Sequence, residues 1–138
     1  MRLRSDAKVD LIRRVPLFEH CSRKELEQVA SIADEIDLPE GKHLTEEGDR
    51  GREFLILLEG TADVNAGDRK INTLGQGDFF GEIALISKRP RTATVTATSP
   101  VRALVIRDQE FRTLLQRAPE IQLKVLEALA DRVAQTLL

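Results

Sequence analysis

The spacing of apolar residues changes twice along this chain, and that change limits the folds open to it. Residues 36–106 hold short runs rich in β-branched or alternating residues, such as 54–58, 92–98 and 101–106, separated by glycine or proline. Runs of this length, with turn signals every 8–12 residues or so, are typical of an antiparallel barrel or sandwich. The sequence therefore predicts a small β-domain in the middle of the chain.

The N-terminal part has helical spacing. Residues 5–15 predict one helix, with Ser5 as its N-cap. Ser22 and Glu25 form the S-x-x-E pattern of a capping box, so a second helix is expected to begin there. The residues expected on the buried face of that second helix are Leu26, Val29, Ala30 and Ala33.

The C-terminal part returns to helical spacing after Asp108. Pro119 suits the first position of a last helix, which is expected to reach about Leu137. The whole chain, residues 1–138, is thus predicted to form a single domain. It has an N-terminal helical part (1–35), a β-barrel (36–107) and C-terminal helices (108–138).

Composition narrows the class of protein. The chain has 138 residues, 41% of them hydrophobic and 32% charged, which is typical of one soluble globular domain. Its single cysteine, Cys21, allows no internal disulfide, and no apolar run reaches the roughly 18–20 residues that span a bilayer. A cytoplasmic location without membrane insertion is expected. A net charge of −2 and the absence of Trp and Tyr argue against a nucleic-acid partner.

The stretch GEIALISKRPRTATV, residues 81–95, carries the chemistry. A helical turn from Glu82 to Ser87 is expected to interrupt the strands, and Gly81 lets the backbone approach a ligand closely. The free N–H groups of that turn and the planar donor fork of Arg91 suit a phosphate. The Glu82 carboxylate only accepts hydrogen bonds, so it suits a hydroxyl donor such as a ribose 2′-OH. The alternative is a surface or structural ion pair between Glu82 and Arg91.

Two pieces of this stretch, FGEIAL (80–85) and PRTATV (90–95), resemble the phosphate-binding cassette of cyclic nucleotide-binding domains. The resemblance extends to residues 15–30 and 47–64, so it covers nearly the whole chain. It implies a β-jelly-roll with N-terminal helices, a short phosphate-cassette helix and a C-terminal lid helix over the base.

The resemblance also implies roles for single residues. Arg91 would bind the cyclic phosphate, and Glu82 would bind the ribose 2′-OH. The other implied site residues are Gly81, Ile83 and Ala84 through their backbone, and Thr92. A hydroxyl at Thr92 occurs in family members that use cAMP and in members that use cGMP, so both ligands stay open. No metal is implied.

The function implied is a non-enzymatic sensor of cAMP or cGMP that relays binding through its helices, with a homodimer or an effector protein as its partner. One alternative is a degenerate domain that kept the fold for protein contacts and lost the ligand. A metal enzyme on a cupin-type barrel needs more histidines than His20 and His43. Gly75 and Gly77 are expected to form a turn rather than a dinucleotide loop, because no βαβ unit surrounds them.

Overall fold

The computed structural model describes residues 3–50, 52–88 and 90–137, and for Ile83 and Ala84 it describes the backbone alone. The chain divides into two compact units. One comprises Asp34–Asp108, and the other comprises Met1–Ala33 together with Gln109–Leu138. No helix in the described residues is both long and apolar enough to cross a bilayer.

The unit Asp34–Asp108 is built from strands. In chain order they are β1 (Ala33–Leu38), β2 (His43–Thr45), β3 (Glu53–Glu59), β4 (Ala62–Ala66), β5 (Arg69–Leu74), β6 (Phe79–Phe80), β7 (Thr94–Ala97) and β8 (Val101–Arg107). They form two four-stranded sheets, in the orders β1-β8-β3-β6 and β2-β7-β4-β5. A 3-10 helix, Glu82–Leu85, lies between β6 and β7 in the chain. The predicted fold class, a jelly-roll of mainly β structure with helices before and after it in the chain, is confirmed.

The core of this unit lies between the two sheets. Leu55 and Leu57 from one sheet cluster with Ala62 and Val95 from the other, and all four are buried. Central strand β3 is buried at every residue from Phe54 to Leu58, which explains why this run reads as continuous apolar sequence rather than as an alternation.

The helical unit contains α1 (Ser5–Arg13), a 3-10 helix (Pro16–Phe18), α2 (Arg23–Ser31), α3 (Asp108–Arg117) and α4 (Pro119–Leu137). Phe18 and Phe111 pack edge to face in its core, with ring centroids 5.8 Å apart. The predicted capping box is confirmed, because the Glu25 N–H donates to Ser22 Oγ (3.2 Å) and the Ser22 N–H donates to Glu25 Oε1 (2.8 Å). The predicted bounds of α4 are also confirmed.

Several predicted boundaries are wrong. Helix α2 ends at Ser31, and Ala33 begins β1 instead of lying on a helix face. Asp34 and Asp37 of β1 pair with arginines of the neighbouring strand β8, contacts that no helical pattern reveals. Ser5 is the first residue of α1 and not its N-cap, which is Arg4. The predicted turn from Glu82 to Ser87 is a shorter 3-10 helix. The single domain over 1–138 stays a prediction.

Candidate functional site

The β unit contains a cavity of about 610 Å³, a volume within the usual range of small-ligand sites. Four of the six residues predicted to bind a ligand line it, namely Gly81, Glu82, Arg91 and Thr92. Ile83 and Ala84 follow in the 3-10 helix Glu82–Leu85, and their side chains are outside the described part of the structure.

Both its backbone conformation and its close packing require a glycine at position 81. Its φ of +83° lies in the left-handed region that favours glycine. A β-carbon at this position would fall on the guanidinium of Arg91 and within 2.8 Å of the Glu53 carbonyl oxygen. The close approach expected at this glycine is therefore an approach to Arg91 and to strand β3.

The backbone of Arg91 is held on both sides by the turn at Gly48 and Asp49. The Arg91 N–H donates to the Asp49 carbonyl oxygen (2.6 Å), and the Arg91 carbonyl oxygen accepts from the Gly48 N–H (2.8 Å). The next pairings along the chain join Glu47 N–H to Thr94 Oγ1 (2.9 Å) and Arg50 to Pro90 in an isolated bridge. Residues 47–50 thus fix the position from which the Arg91 side chain extends.

A hydrogen bond also holds the guanidinium of Arg91 in place. Its Nη2 donates to the Glu53 carbonyl oxygen at the start of β3. Burial lowers the pKa of Arg91, and the nearby Glu53 carboxylate opposes that shift. An arginine keeps its charge in proteins even so. The fold therefore places an oriented cation with further N–H donors at the wall of the cavity.

Glu82 supplies the opposite charge. Its side chain is buried, with 6% exposed. Among the described residues that line the cavity, Glu82 and Arg91 are the charged ones. A buried carboxylate is costly unless polar groups surround it, so its position here favours a polar or ionic role over simple packing. The alternative of an exposed surface ion pair does not fit this burial, whereas the structural ion pair between Glu82 and Arg91 stays an alternative prediction.

The remaining wall is mostly apolar, and the sequence pattern does not predict it. Val64, Leu74 and Val95 come from the sheet β2-β7-β4-β5, and Phe79 and Phe80 come from β6. Phe79 packs edge to face on Phe54, with ring centroids 6.0 Å apart. The polar residues Thr45, Asn72 and Ser87 complete the wall, together with Ile71, Pro90 and Ala93. Ile71 is 55% exposed, although large aliphatic side chains on strands are usually buried.

The glycine pair at 75 and 77 forms a turn, as predicted. The Gly75 N–H donates to Asp78 Oδ2 (2.8 Å), and the Gly77 N–H donates to the Leu57 carbonyl oxygen (2.8 Å) with φ at +85°. The first bond closes the turn, and the second ties it to strand β3. They belong to the scaffold that leads into β6 and Gly81.

His20 has a partner that its sequence neighbours do not reveal. Its Nε2 lies 2.7 Å from Asp131 Oδ2 and 3.6 Å from Glu19 Oε1, and all three side chains are exposed. The hydrogen bond with Asp131 raises the pKa of His20. Burial raises the pKa of the adjacent Cys21 to about 11, so its thiol stays protonated at neutral pH. That the protein uses no metal stays a prediction.

Comparison with known protein sequences adds independent information. Residues 35–118 match the family described as the cyclic nucleotide-binding domain. A cAMP-dependent protein kinase regulatory subunit of Mycosarcoma maydis is 37% identical over 113 residues, which cover 73% of this chain and 21% of that protein. A protein of the same description from Colletotrichum orbiculare is 34% identical over 108 residues, which cover 77% and 28%. The chain thus spans less than a third of the length of either relative.

Solved structures agree with the fold. The N-terminal domain of a transcriptional regulator from Streptomyces coelicolor A3(2) superposes with a TM-score of 0.84 and 28% identity, covering 92% of this chain and 94% of that chain. A structure described as cAMP-bound PfPKA-R superposes with a TM-score of 0.69 and 26% identity, covering 91% and 47%. The family match over residues 35–118 includes Gly81, Glu82 and Arg91. The chain therefore belongs to the cyclic nucleotide-binding domain family.

Proposed function

We propose that this domain binds a cyclic nucleotide, cAMP or cGMP, in the cavity of its β unit and has no enzymatic activity of its own. Arg91 binds the cyclic phosphate, and Glu82 accepts a hydrogen bond from the ribose 2′-OH. The backbone at Gly81, Ile83 and Ala84 completes the phosphate cradle. Thr92, exposed at the cavity, is the candidate contact to the base.

One observation carries this proposal. Arg91 and Glu82 line the same cavity, and each is suited to one half of a ribose phosphate. A guanidinium offers paired donors to phosphate oxygens, and a carboxylate accepts from a sugar hydroxyl. The apolar side chains of Val64, Leu74 and Val95 then provide a surface on which a purine can pack. Family membership and the cAMP-bound structural relative support the same assignment.

The proposed biological role is regulation. Relatives of this chain are regulatory subunits of a cAMP-dependent protein kinase, and a structural relative is a domain of a transcriptional regulator. By analogy, ligand binding here would be relayed to an effector protein or through a homodimer, in the cytoplasm. The lid role of α4 stays a prediction of the resemblance.

Isothermal titration of the nucleotide-free chain with cAMP, and separately with cGMP, tests the proposal. The protein must first be unfolded and refolded or dialysed exhaustively, because host nucleotide copurifies with tight binders. Binding of either ligand at micromolar concentration or below is expected, and the ratio of the two affinities decides between them. If the folded, empty chain binds neither nucleotide, the proposal is wrong, and the degenerate protein-contact domain becomes the better description.

A further inference from the structure

The hairpin made by β4 and β5 forms one wall of the cavity. Val64 on β4 lines that wall, and so do Ile71, Asn72 and Leu74 on β5. Strand β5 lies at the edge of its sheet and pairs with β4. The position of this hairpin therefore determines the shape of the wall that a ligand base would contact.

Strand pairing alone does not fix the tip of the hairpin. The register of β4 and β5 shifts between Val64 and Asn65, which leaves Ile71 without a residue opposite it. A β-bulge of this kind bends and twists the paired strands. On its other side β4 pairs with β7 only as far as Asn65, which lies opposite Thr94. The turn at Gly67 thus extends beyond the last residue that β7 supports.

A side chain from outside the hairpin holds this turn. The Gly67 N–H donates to Glu47 Oε1 at 2.8 Å, across 20 positions in the chain. A hydrogen bond to a carboxylate is stronger than one between neutral groups. Glu47 is exposed and is not among the described residues that line the cavity. Its carboxylate therefore contacts the hairpin turn and not the space for the ligand.

The backbone of Glu47 belongs to the opposite, phosphate side of the cavity. Its N–H donates to Thr94 Oγ1 at 2.9 Å. The following Gly48 N–H donates to the Arg91 carbonyl oxygen at 2.8 Å, and the Arg91 N–H donates to the Asp49 carbonyl oxygen at 2.6 Å. Glu47 thus connects the segment that fixes Arg91 with the hairpin that forms the other wall.

We propose that Glu47 is a positioning residue of the ligand site, which holds the β4–β5 hairpin in place relative to Arg91. The inference rests on the proposed function, since it requires a ligand that contacts both walls. Such a ligand binds best when both walls are already in position. Without the bond from Gly67 to Glu47 the hairpin samples other positions, and the free energy of ordering it is subtracted from the affinity.

A role in the stability of the fold alone would have a different effect on binding. A loss of stability lowers the fraction of folded chain and weakens the apparent binding of every ligand alike. A displaced hairpin weakens the binding of a ligand that packs on the hairpin. It leaves unchanged a ligand that contacts only Arg91 and Glu82 on the other side.

Titration calorimetry of Glu47→Ala separates the two roles. The ligands are the better bound of cAMP and cGMP, and ribose cyclic phosphate, which is the same ligand without its base. The affinity for the nucleotide is expected to fall about three- to tenfold, as the loss of one hydrogen bond to a charged group allows. The affinity for ribose cyclic phosphate should change less than about twofold. Equal losses for the two ligands would overturn the proposal.

Two variants serve as controls. Glu47→Gln keeps a side-chain oxygen that accepts from the Gly67 N–H, so it should restore the nucleotide affinity to within about twofold of wild type. Glu46→Ala is the matched control, because it removes the adjacent exposed carboxylate, whose contact is with His43 at 3.1 Å. Its nucleotide affinity should equal that of wild type. A loss as large as that of Glu47→Ala would show a general effect of charge and would overturn the proposal.

Hydrogen exchange at the Gly67 amide tests the contact without any ligand. In the nucleotide-free chain, Glu47→Ala should raise the exchange rate at Gly67 about fivefold or more, and Glu46→Ala should leave it unchanged. An unchanged rate in Glu47→Ala, together with nucleotide binding by the wild type, overturns this inference alone. A wild type that binds no nucleotide overturns the proposed function, whatever the exchange rate at Gly67.

Discussion

At the scale of single residues, Arg91 is the most informative position. Arg91→Ala is expected to weaken nucleotide binding by about 2–5 kcal/mol, because it removes a charged donor that faces a desolvated phosphate. Titration calorimetry measures the change directly. Arg102→Ala is the matched control, since Arg102 lies on β8, pairs with the exposed Asp37 and does not line the cavity. Equal affinities in Arg91→Ala and wild type would contradict the phosphate assignment.

Replacing Glu82 should change how strongly the protein discriminates between ribose and 2′-deoxyribose ligands. Glu82→Ala is expected to cost about 1.5–3 kcal/mol in binding a ribonucleotide, through loss of a charged acceptor. The ratio of affinities for ribose and 2′-deoxyribose ligands should then fall towards one. This ratio is insensitive to a general loss of folded protein, which would lower both affinities together. Glu59→Ala, exposed at the end of β3, provides the control. A variant that discriminates as strongly as wild type would remove the 2′-OH role.

A substitution at Gly81 should affect both the stability of the fold and nucleotide binding. Gly81→Ala is expected to lower the free energy of unfolding by about 1–3 kcal/mol, because alanine is strained at a φ of +83°. It should also weaken nucleotide binding, since the added carbon displaces the Arg91 guanidinium. Gly41→Ala separates the two effects. Gly41 has a similar φ of +88°, and an added carbon there meets nothing within 4 Å. Urea denaturation and calorimetry should show strain alone in that control, and comparable binding losses in both variants would argue against the close contact with Arg91.

At the scale of elements, Glu25 connects the start of α2 to α4. Burial by itself would raise the pKa of Glu25, but hydrogen bonds from Lys124 and Ser22 outweigh it, so the pKa lies below the ordinary value of 4.5. A carboxylate with a lowered folded-state pKa stabilises the protein above its unfolded-state pKa. That contribution is lost as the pH falls from about 4.5 through the lower folded-state value.

Because the folded-state pKa of Glu25 is lowered, the stability of the protein should depend on pH. Between about pH 6 and pH 3, the free energy of unfolding should fall more steeply in wild type than in Glu25→Gln, because the glutamine cannot titrate. Urea denaturation at each pH measures both slopes. Glu27→Gln is the control, since it makes the same substitution at an exposed residue of the same helix, in an i,i+4 pair with Arg23. Parallel curves for wild type and Glu25→Gln would show that the Lys124 contact contributes nothing in solution.

The elements also show which parts of the structure local sequence can predict. The capping box at Ser22 and the start of α4 at Pro119 depend on neighbours within a few residues, and both are confirmed. The prediction that Ala33 lies on a helix is wrong, although its spacing from Leu26 suits a helix. What decides its state is the pairing of β1 with β8, some seventy residues away in the chain. Boundaries set by such long-range contacts are not encoded in local spacing.

The candidate site also combines features that local sequence predicts with features that depend on long-range contacts. The charged residues Glu82 and Arg91 stand out because their chemistry and spacing are local. The groups that orient Arg91, namely the Glu53 carbonyl oxygen and the turn at Gly48 and Asp49, act through backbone atoms, so side-chain chemistry does not reveal their contacts with Arg91. The apolar wall from β4, β5 and β7 looks like ordinary strand sequence until the sheets are assembled.

At the scale of the whole molecule, ligand binding tests whether the chain unfolds as one domain. Calorimetric unfolding with nucleotide at about one hundred times its dissociation constant should gain about 2.7 kcal/mol of stability. If residues 1–138 form one cooperative domain, a single transition should move to higher temperature. Arg91→Ala at the same ligand concentration should gain less than about 1 kcal/mol, because its affinity is expected to be about 30-fold or more weaker. Two transitions, of which only one responds to nucleotide, would show that the units Asp34–Asp108 and the helices unfold separately.

The turn at Gly48 and Asp49 has a consequence for the entropy of binding. A free arginine side chain samples many rotamers, and a ligand that immobilises it must offset that loss. Here the backbone bonds to residues 48 and 49 and the bond to the Glu53 carbonyl oxygen restrict Arg91 as part of folding. The entropy of ordering Arg91 is then lost when the chain folds, and little remains to be lost on binding. Gly48 and Asp49, which do not line the cavity, thereby contribute to the affinity that the site can reach.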